Sequence, residues 1–539
     1  MRIVENSFHG PVDRRFAVDR AHRGDVEGAF GTIASHDTEP RRTLARRLAT
    51  LAAIVGPGLI VLAADNDAGG LSVYAQAGQD YGTSLLWVLL LLAPVLFINQ
   101  EMAARLGAVT GAGHARLIYE RFGRWWGSFA LSDLLVLNVL IVATDFIGMT
   151  LALGQLRVSR YLAVPLAVAF LLVVTAGGSF RRWERTMVAM VALDALLIPM
   201  ALLVHVGSAS VALPAPQSVT GDQVFLLVAL VGTTAAPWQL FLQQSSVVDK
   251  RVTARWLSYA RVDTAIGTAC MVLSAAVVLI ACAAAFGGTP LAGRFTDAGG
   301  VIRGLGLTSG GPAGTIFALV LLNASLLGAA AVTLSSAYAV GDVLGVKHSL
   351  RRGWADAPRF HAAFAITVVA GAAIALLPGV PVALITNAVQ ALAGALLPSA
   401  CVFLLLLCND ADVLGPRTNP RWLNALGAVE VGFLMVISAF LAITTAFPGA
   451  DQREVIAILT AGGAAFFVAW GVLLAVEGRR RGEPAIRGWW ERRTWTMPAI
   501  ETLSAPLLTR GRSFGLVLLR GYLLVAVAFV IVRIVETAR

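Results

Sequence analysis

Between Leu51 and Ala77 runs an apolar stretch long enough to cross a bilayer, yet its middle reads Ala64-Asp65-Asn66-Asp67-Ala68-Gly69-Gly70. A charged side chain at the membrane centre costs about 2.5–3.5 kcal/mol by insertion measurements. Two carboxylates and an amide in succession are therefore expensive to keep. Glycine lowers helix propensity at the same place, so the helix is expected to unwind there. Unwound backbone at membrane depth persists only where it lines a cavity or is buried in protein. The break is therefore read as a cation-binding element inside a larger membrane protein.

Composition supports the membrane class. The 539-residue chain is 57% hydrophobic and only 14% charged, with mean hydropathy +0.75, whereas soluble domains carry about 25% charge. A formal net charge of +10 would suggest a nucleic-acid partner in a soluble protein. Here the basic residues sit in short loops between apolar spans, where topology explains them without nucleic acid. Cys270, Cys282, Cys401 and Cys408 lie inside apolar spans without metal-ligand spacing, and are read as small buried hydrophobes. No apolar leader opens the chain, so no cleaved signal peptide is expected. Residues 1–48 are polar and arginine-rich, and are expected to form a loosely ordered cytoplasmic tail.

Runs of about 20 apolar residues give spans at 51–78, 84–105, 128–154, 160–178, 186–206, 222–247, 262–287, 312–343, 362–378, 382–408, 424–448 and 455–476. A thirteenth candidate at 514–535 is interrupted by Arg520 and competes with an interfacial amphipathic helix. Alternate loops are basic, carrying Arg105 to Arg124, then Arg181 to Arg185, Lys250 to Arg261, Lys347 to Arg359, Arg417 and Arg421, and Arg479 to Arg493; loops 79–83 and 207–221 hold no lysine or arginine. By the positive-inside rule the amino terminus and the basic loops are cytoplasmic. The expected organisation is a cytoplasmic basic tail at 1–48, a transport core at 49–408, two further spans at 409–476, and a basic cytoplasmic segment with the candidate thirteenth span at 477–539. The expected location is the cell (plasma or inner) membrane.

The sixth span has a polar break of its own, at Gly232-Thr233-Thr234-Ala235-Ala236-Pro237-Trp238-Gln239. Proline inside a helix removes a backbone hydrogen bond and clashes with the preceding turn. Spans 1 and 6 are five apart and cross the membrane in opposite senses. Two interrupted helices at matching positions of two halves are the mark of an inverted-repeat transporter. A plain proline kink and a glycine packing site would also produce these breaks, but leave the carboxylates of span 1 unexplained.

Oxygen ligands, carboxylate plus backbone carbonyl, suit hard divalent cations. Asp65 and Asp67, two apart, cannot share one helix face, so one is expected to point at the site and the other elsewhere. Carbonyls freed near Ala64 and Thr233 would add ligands. Asp145 in span 3 is another intramembrane acid, and ionisable groups at that depth mark ion paths. The amides and hydroxyls Gln100, Asn323, Ser325, Thr333, Asn387 and Gln390 fit interhelical hydrogen bonding. Glu101 and Asp342 are open between an ion path and pairing with cytoplasmic arginines. No HExxH or GxSxG occurs, so no enzyme chemistry is expected, and Gly304-Leu305-Gly306 falls in an outside loop where a phosphate cradle is implausible.

These residues resemble the Nramp divalent-metal transporters, and within them the Nramp-related magnesium transporter branch. Gly56-Pro57-Gly58 leads to Asp67-Ala68-Gly69-Gly70, then Gln76-Ala77-Gly78 and Tyr81-Gly82, in the order and spacing of the family's first-span signature. The resemblance covers the first ten spans. It implies an all-α LeuT-type fold, a 5+5 inverted repeat with unwound spans 1 and 6, followed by two or three further helices. It also implies a substrate cation between spans 1 and 6, with Asp67 as direct ligand and Ala64, Gly70, Thr233, Ala236 and Gln390 around it.

The departures from the family pattern sharpen the expectation. Where the family has methionine in Met-Pro-His, this chain has Ala236-Pro237-Trp238. A thioether favours transition metals over hard magnesium, and its loss leaves room for an ion that gives up water reluctantly. Gly70 in place of the family asparagine enlarges the site again. Trp238 replaces the span-6 histidine, and Val142 stands where a span-3 aspartate belongs, leaving Asp145 as the remaining acid. Neither replacement carries protons. The expected function is transport of magnesium, and manganese with it, by alternating access and without strict proton coupling. The rival readings are a proton-coupled manganese or iron transporter and an organic-solute symporter on the same fold. Expected partners are the metal ion and the lipid bilayer, with a monomer plausible and no cofactor beyond the transported ion.

Overall fold

A computed structural model describes residues 20–205, 221–378 and 382–446, with scattered residues between 454 and 521. The expected twelfth and thirteenth spans lie mostly outside the described residues. Most of the described chain is helix, and its order carries the repeat. A short antiparallel hairpin, β1 (Val26–Gly28) and β2 (Gly31–Ile33), precedes α1 (Leu44–Ile54). The first span follows as α2 (Pro57–Ala63) and α3 (Ala68–Tyr81). Next come α4 (Leu86–Thr110), the short α5 (His114–Phe122), α6 (Arg124–Gln155), α7 (Arg160–Ala176), and α8 (Phe180–Leu193) continued by α9 (Leu197–Leu203). The second half repeats the plan: a broken span of α10 (Gly221–Thr234) and α11 (Pro237–Asp249), then α12 (Leu257–Phe286), the short α13 (Ala298–Thr308), α14 (Gly311–Leu344), α15 (Pro358–Leu376) and α16 (Val382–Cys408). A turn, α17 (Ala411–Leu414), leads to α18 (Arg421–Ala446).

This is a LeuT-type 5+5 arrangement, with the broken helices first in each half. Among the described residues eight helices are long and apolar enough to cross a membrane, and the pair α1 and α2, bent by 51°, would make a ninth. The fourth span, α7, is shorter at 17 residues. Gly304-Leu305-Gly306 lies within α13 rather than in an open loop.

Each break has a local cause. At Gly56 the backbone takes φ 155, a conformation only glycine adopts without strain, and Pro57 then starts α2 with its ring in place of an unneeded N–H. Asp67 ends the unwound stretch by capping α3, its carboxylate accepting from Gly70 N at 2.7 Å. In span 6, Ala236 is extended and Pro237 opens α11. The layers then close around these breaks: α14 runs along α6, α10 along α16, and α12 along both α2 and α3.

The amino-terminal segment departs from the expected loose tail. From Arg20 it forms a turn and the hairpin, and Val26 and Ile33 are buried with Ala53, Ile54, Val252 and Trp256. Apolar residues spaced among the arginines supply a small core that net charge alone conceals.

Candidate metal site

The two breaks meet at the start of α3, which touches α10, α16, α6 and α14. Backbone groups are released on both sides. In a continuous helix Ala68 N would bond to the Ala64 carbonyl; here it donates to Asp145 Oδ1 at 3.2 Å. In span 6 the helical partner of the Thr233 carbonyl would be the N–H of residue 237, and Pro237 has none. Carbonyl oxygens at Ala64 and Thr233 are thus uncoupled from the helix pattern by sequence. Both residues are buried.

The side chains converge on the same place. Asp67 and Asp145 both lie against Gly328 of α14: a Cβ there would fall 2.6 Å from Asp67 Cβ and 3.1 Å from Asp145 Oδ2. Glycine lets span 8 approach two acids at once. On the opposite side, a Cβ at Gly70 would meet Thr233 Oγ1 at 2.8 Å and the Asp65 carbonyl oxygen at 3.0 Å. Gln390 lies across Gly69, where an added Cβ would sit 1.8 Å from its Nε2. Asp145 Oδ2 and Gln390 Nε2 are buried without a hydrogen-bond partner among the described residues. An orphaned buried polar atom is costly, and a bound ion with its waters would supply the missing partners.

Asp65 and Asp67, 2% and 3% exposed, diverge as their spacing requires. Asp67 faces α6 and α14, whereas Asp65 faces Gln239 of α11, whose Oε1 accepts from Gln100 Nε2 at 2.8 Å. Asn66 anchors the break by donating to the Met271 carbonyl at 3.1 Å. Among the described residues no group of three or more His, Cys, Asp or Glu gathers to hold a metal. An ion here would be held by few carboxylates and by carbonyl, amide and water oxygens.

The structure therefore brings together Ala64, Asp67, Gly70, Thr233, Gln390 and Asp145, and places Ala236 buried at the mouth of α11. Two other positions lie elsewhere. Val142 packs against Gly371 of α15, where a Cβ would be 2.6 Å from its Cγ1. Trp238 is wholly buried on α11, its carbonyl accepting from Ser335 Oγ at 3.0 Å. Asn323 donates to Asp194 Oδ1 and the Met190 carbonyl, and Asn387 to Gln76 Oε1, as interhelical ties. Glu101 pairs with Arg261 at 2.8 Å and Arg105 at 3.3 Å, and Asp342 with His348 at 3.0 Å. Gly328 and Gln239 escaped sequence reasoning, because a glycine in an apolar span and an amide beyond a proline carry no signal without their neighbours.

The family model described as natural resistance-associated macrophage protein-like, Nramp, matches residues 58–444. The chain belongs to the Nramp family. The divalent metal cation transporter MntH of Burkholderia ambifaria is 28% identical over 465 residues, 81% of this chain and 98% of that one. The transporter of the same name from Verminephrobacter eiseniae is 26% identical over 427 residues, 74% and 91% of the two chains. The crystal structure of the manganese transporter of Eremococcus coleocola in complex with an aromatic bis-isothiourea compound matches with TM-score 0.61 at 19% identity, covering 82% of this chain and 97% of that one. That likeness shows the shared fold. The matched range 58–444 takes in both helix breaks.

Proposed function

We propose that this Nramp chain carries divalent metal cations across the cell membrane by alternating access, with magnesium as the preferred ion and manganese accepted. The observation that carries this reading is the meeting of Asp67 with two helix breaks whose carbonyls are uncoupled from their helices, at a place where Ala236 offers no sulfur. The donor set is then all oxygen, which suits a hard ion that keeps part of its water. Asp67 is the direct ligand, and the Ala64 and Thr233 carbonyls and Gln390 complete the surroundings with water. Asp145, held by Ala68 N, adds negative charge without needing to touch the ion. Gly70 carries no side chain, so its backbone can lie directly against Thr233 Oγ1 and the Asp65 carbonyl.

Orientation follows from charge. Arg185, Arg251 and Arg351, from three of the basic loops, all contact the amino-terminal segment, and the positive-inside rule makes that end cytoplasmic. Proton coupling has lost two of its side chains, since Trp238 and Val142 cannot exchange protons, so transport is expected to run without obligatory proton entry. The relatives named MntH favour a second reading, proton-coupled manganese transport, which magnesium competition separates from the first. In proteoliposomes, magnesium should compete with manganese uptake and Asp67→Ala should abolish uptake of both. Wild-type-like uptake by that variant would refute the site, and feeble magnesium competition would favour the second reading. A pH dye in the lumen checks coupling: stoichiometric acidification would contradict uncoupled transport.

A further inference from the structure

At the basic end, a buried set of contacts ties together parts that alternating access must separate. Asp249 and Lys250, adjacent at the end of the broken sixth span, are both fully buried. Lys250 Nζ donates to Glu184 Oε1 of α8 at 2.6 Å and to the carbonyls of Ile54 and Val55 at 2.8 Å each. It therefore joins the inner half of span 1 to span 5. Asp249 accepts from Tyr338 Oη of α14 and Ser349 Oγ, each at 2.5 Å, and from Leu350 N at 2.9 Å. It joins span 6 to the end of span 8 and the loop beyond.

The hairpin completes the set. Ala29 N, at its turn, donates to Glu184 Oε2 at 2.6 Å, and Arg185 Nε donates to the Ala29 carbonyl at 2.8 Å. Glu27 accepts from Arg351 Nη1 at 2.6 Å, and Arg251 Nε donates to the Ala21 carbonyl at 2.8 Å. On its other face the hairpin lies on α1: a Cβ at Gly28 would fall 2.0 Å from the Ala53 carbonyl oxygen, and one at Gly31 would fall 3.2 Å from Ala53 Cβ. Glu184 is thus shared between Lys250 and the hairpin. A buried charge that loses one partner is strongly penalised unless its surroundings rearrange, so the buried Glu184–Lys250 pair favours keeping the hairpin in place.

We propose that the Val26–Ile33 hairpin, with Asp249 and Lys250, is a clasp that holds the cytoplasmic side shut, and that inward opening requires its contacts to Glu184 and Arg351 to part. The structure is then the cytoplasm-closed member of a two-state pair. The proposal rests on alternating access, but its test needs no transported ion and so fails or succeeds separately from the choice of cargo.

The test reads thiol labelling at the inner half of span 1. In a background with the four native cysteines replaced by serine, Ile54→Cys places a thiol at a position 1% exposed, and a buried thiol is protected from maleimide. Glu27→Gln, a change at a partly exposed side chain that meets Arg351, should raise the labelling rate from the cytoplasmic side about threefold or more. Glu184→Gln should raise it further, and the exchange Glu184→Lys with Lys250→Glu should bring it back toward the parent. Unchanged labelling in Glu27→Gln would overturn the clasp. So would a Glu184→Gln protein that is less stable to detergent extraction yet no more labelled, which is the mark of a purely structural pair.

Discussion

The breaks in spans 1 and 6 occupy matching positions in the two halves, yet they are built from opposite materials. In span 1 the break is acidic, and Asp67 caps the following helix with its own carboxylate. In span 6 the break is neutral: Ala236 caps nothing with its side chain, and Pro237 stops the helix by lacking a donor. One half supplies charge and the other supplies a bare carbonyl. On the proposed reading, an ion held between them would owe its presence to span 1 and its identity to span 6.

Breaking the charged side should have the largest effect. Asp67→Ala is expected to reduce divalent uptake by more than the roughly 10–100-fold that losing an outer-sphere partner costs, measured by radiometal flux in proteoliposomes. Wedging the two breaks apart comes next. Gly70→Val would drive a Cβ into Thr233 Oγ1 and the Asp65 carbonyl, and uptake should fall at least about tenfold, about 1.4 kcal/mol, while thermal unfolding in detergent changes little by comparison. The neutral side should alter preference instead of activity. Ala236→Met restores a soft ligand, and the manganese-to-magnesium uptake ratio should rise by about tenfold; an unchanged ratio would detach ion identity from span 6. Pro237→Ala returns an N–H to the Thr233 carbonyl, and a smaller loss of uptake with unchanged ion preference is expected.

The smallest expected effect lies at the basic end, away from both breaks. Burial alone would lower the His348 imidazole, but the hydrogen bond and charge of Asp342 outweigh it and hold it above its usual 6.5. The sign follows: the pair with Asp342 stabilises fully below the ordinary histidine range and fades as pH rises through the raised value. His22 and Asp249 face the same ring from the amino-terminal turn and α11. Tryptic cleavage at the hairpin should therefore speed up modestly on the alkaline side, and His348→Gln should remove that pH dependence.

Much of this molecule was legible in one dimension because the membrane simplifies the code. Apolar runs of bilayer length, basic loops on alternate sides, and two polar interruptions five spans apart are all one-dimensional signals. The acid pair Asp65 and Asp67 and the freed carbonyl near Thr233 could be named from them, whereas Asp67 as the ligand and Gly70 beside it rest on the family resemblance. The spacing of Asp65 and Asp67 led to an expectation that they diverge, but in the unwound stretch between α2 and α3 it is their tertiary partners that set each direction. Glu101 and Asp342 stayed undecided because their partners, Arg261 and His348, come from different segments.

The sequence by itself determined the class of fold and the placing of the breaks, since these depend on composition and local backbone chemistry. Only tertiary structure decided that Gly328 presses span 8 against Asp67 and Asp145, that Gln390 lies across Gly69, and that Val142 faces span 9. It also decided that an arginine-rich tail folds into a hairpin whose turn shares Glu184 with Lys250. The physical reason is common to all four. Close approach and shared partners depend on which residues distant in the chain arrive at the same point, and no periodicity along one segment encodes that.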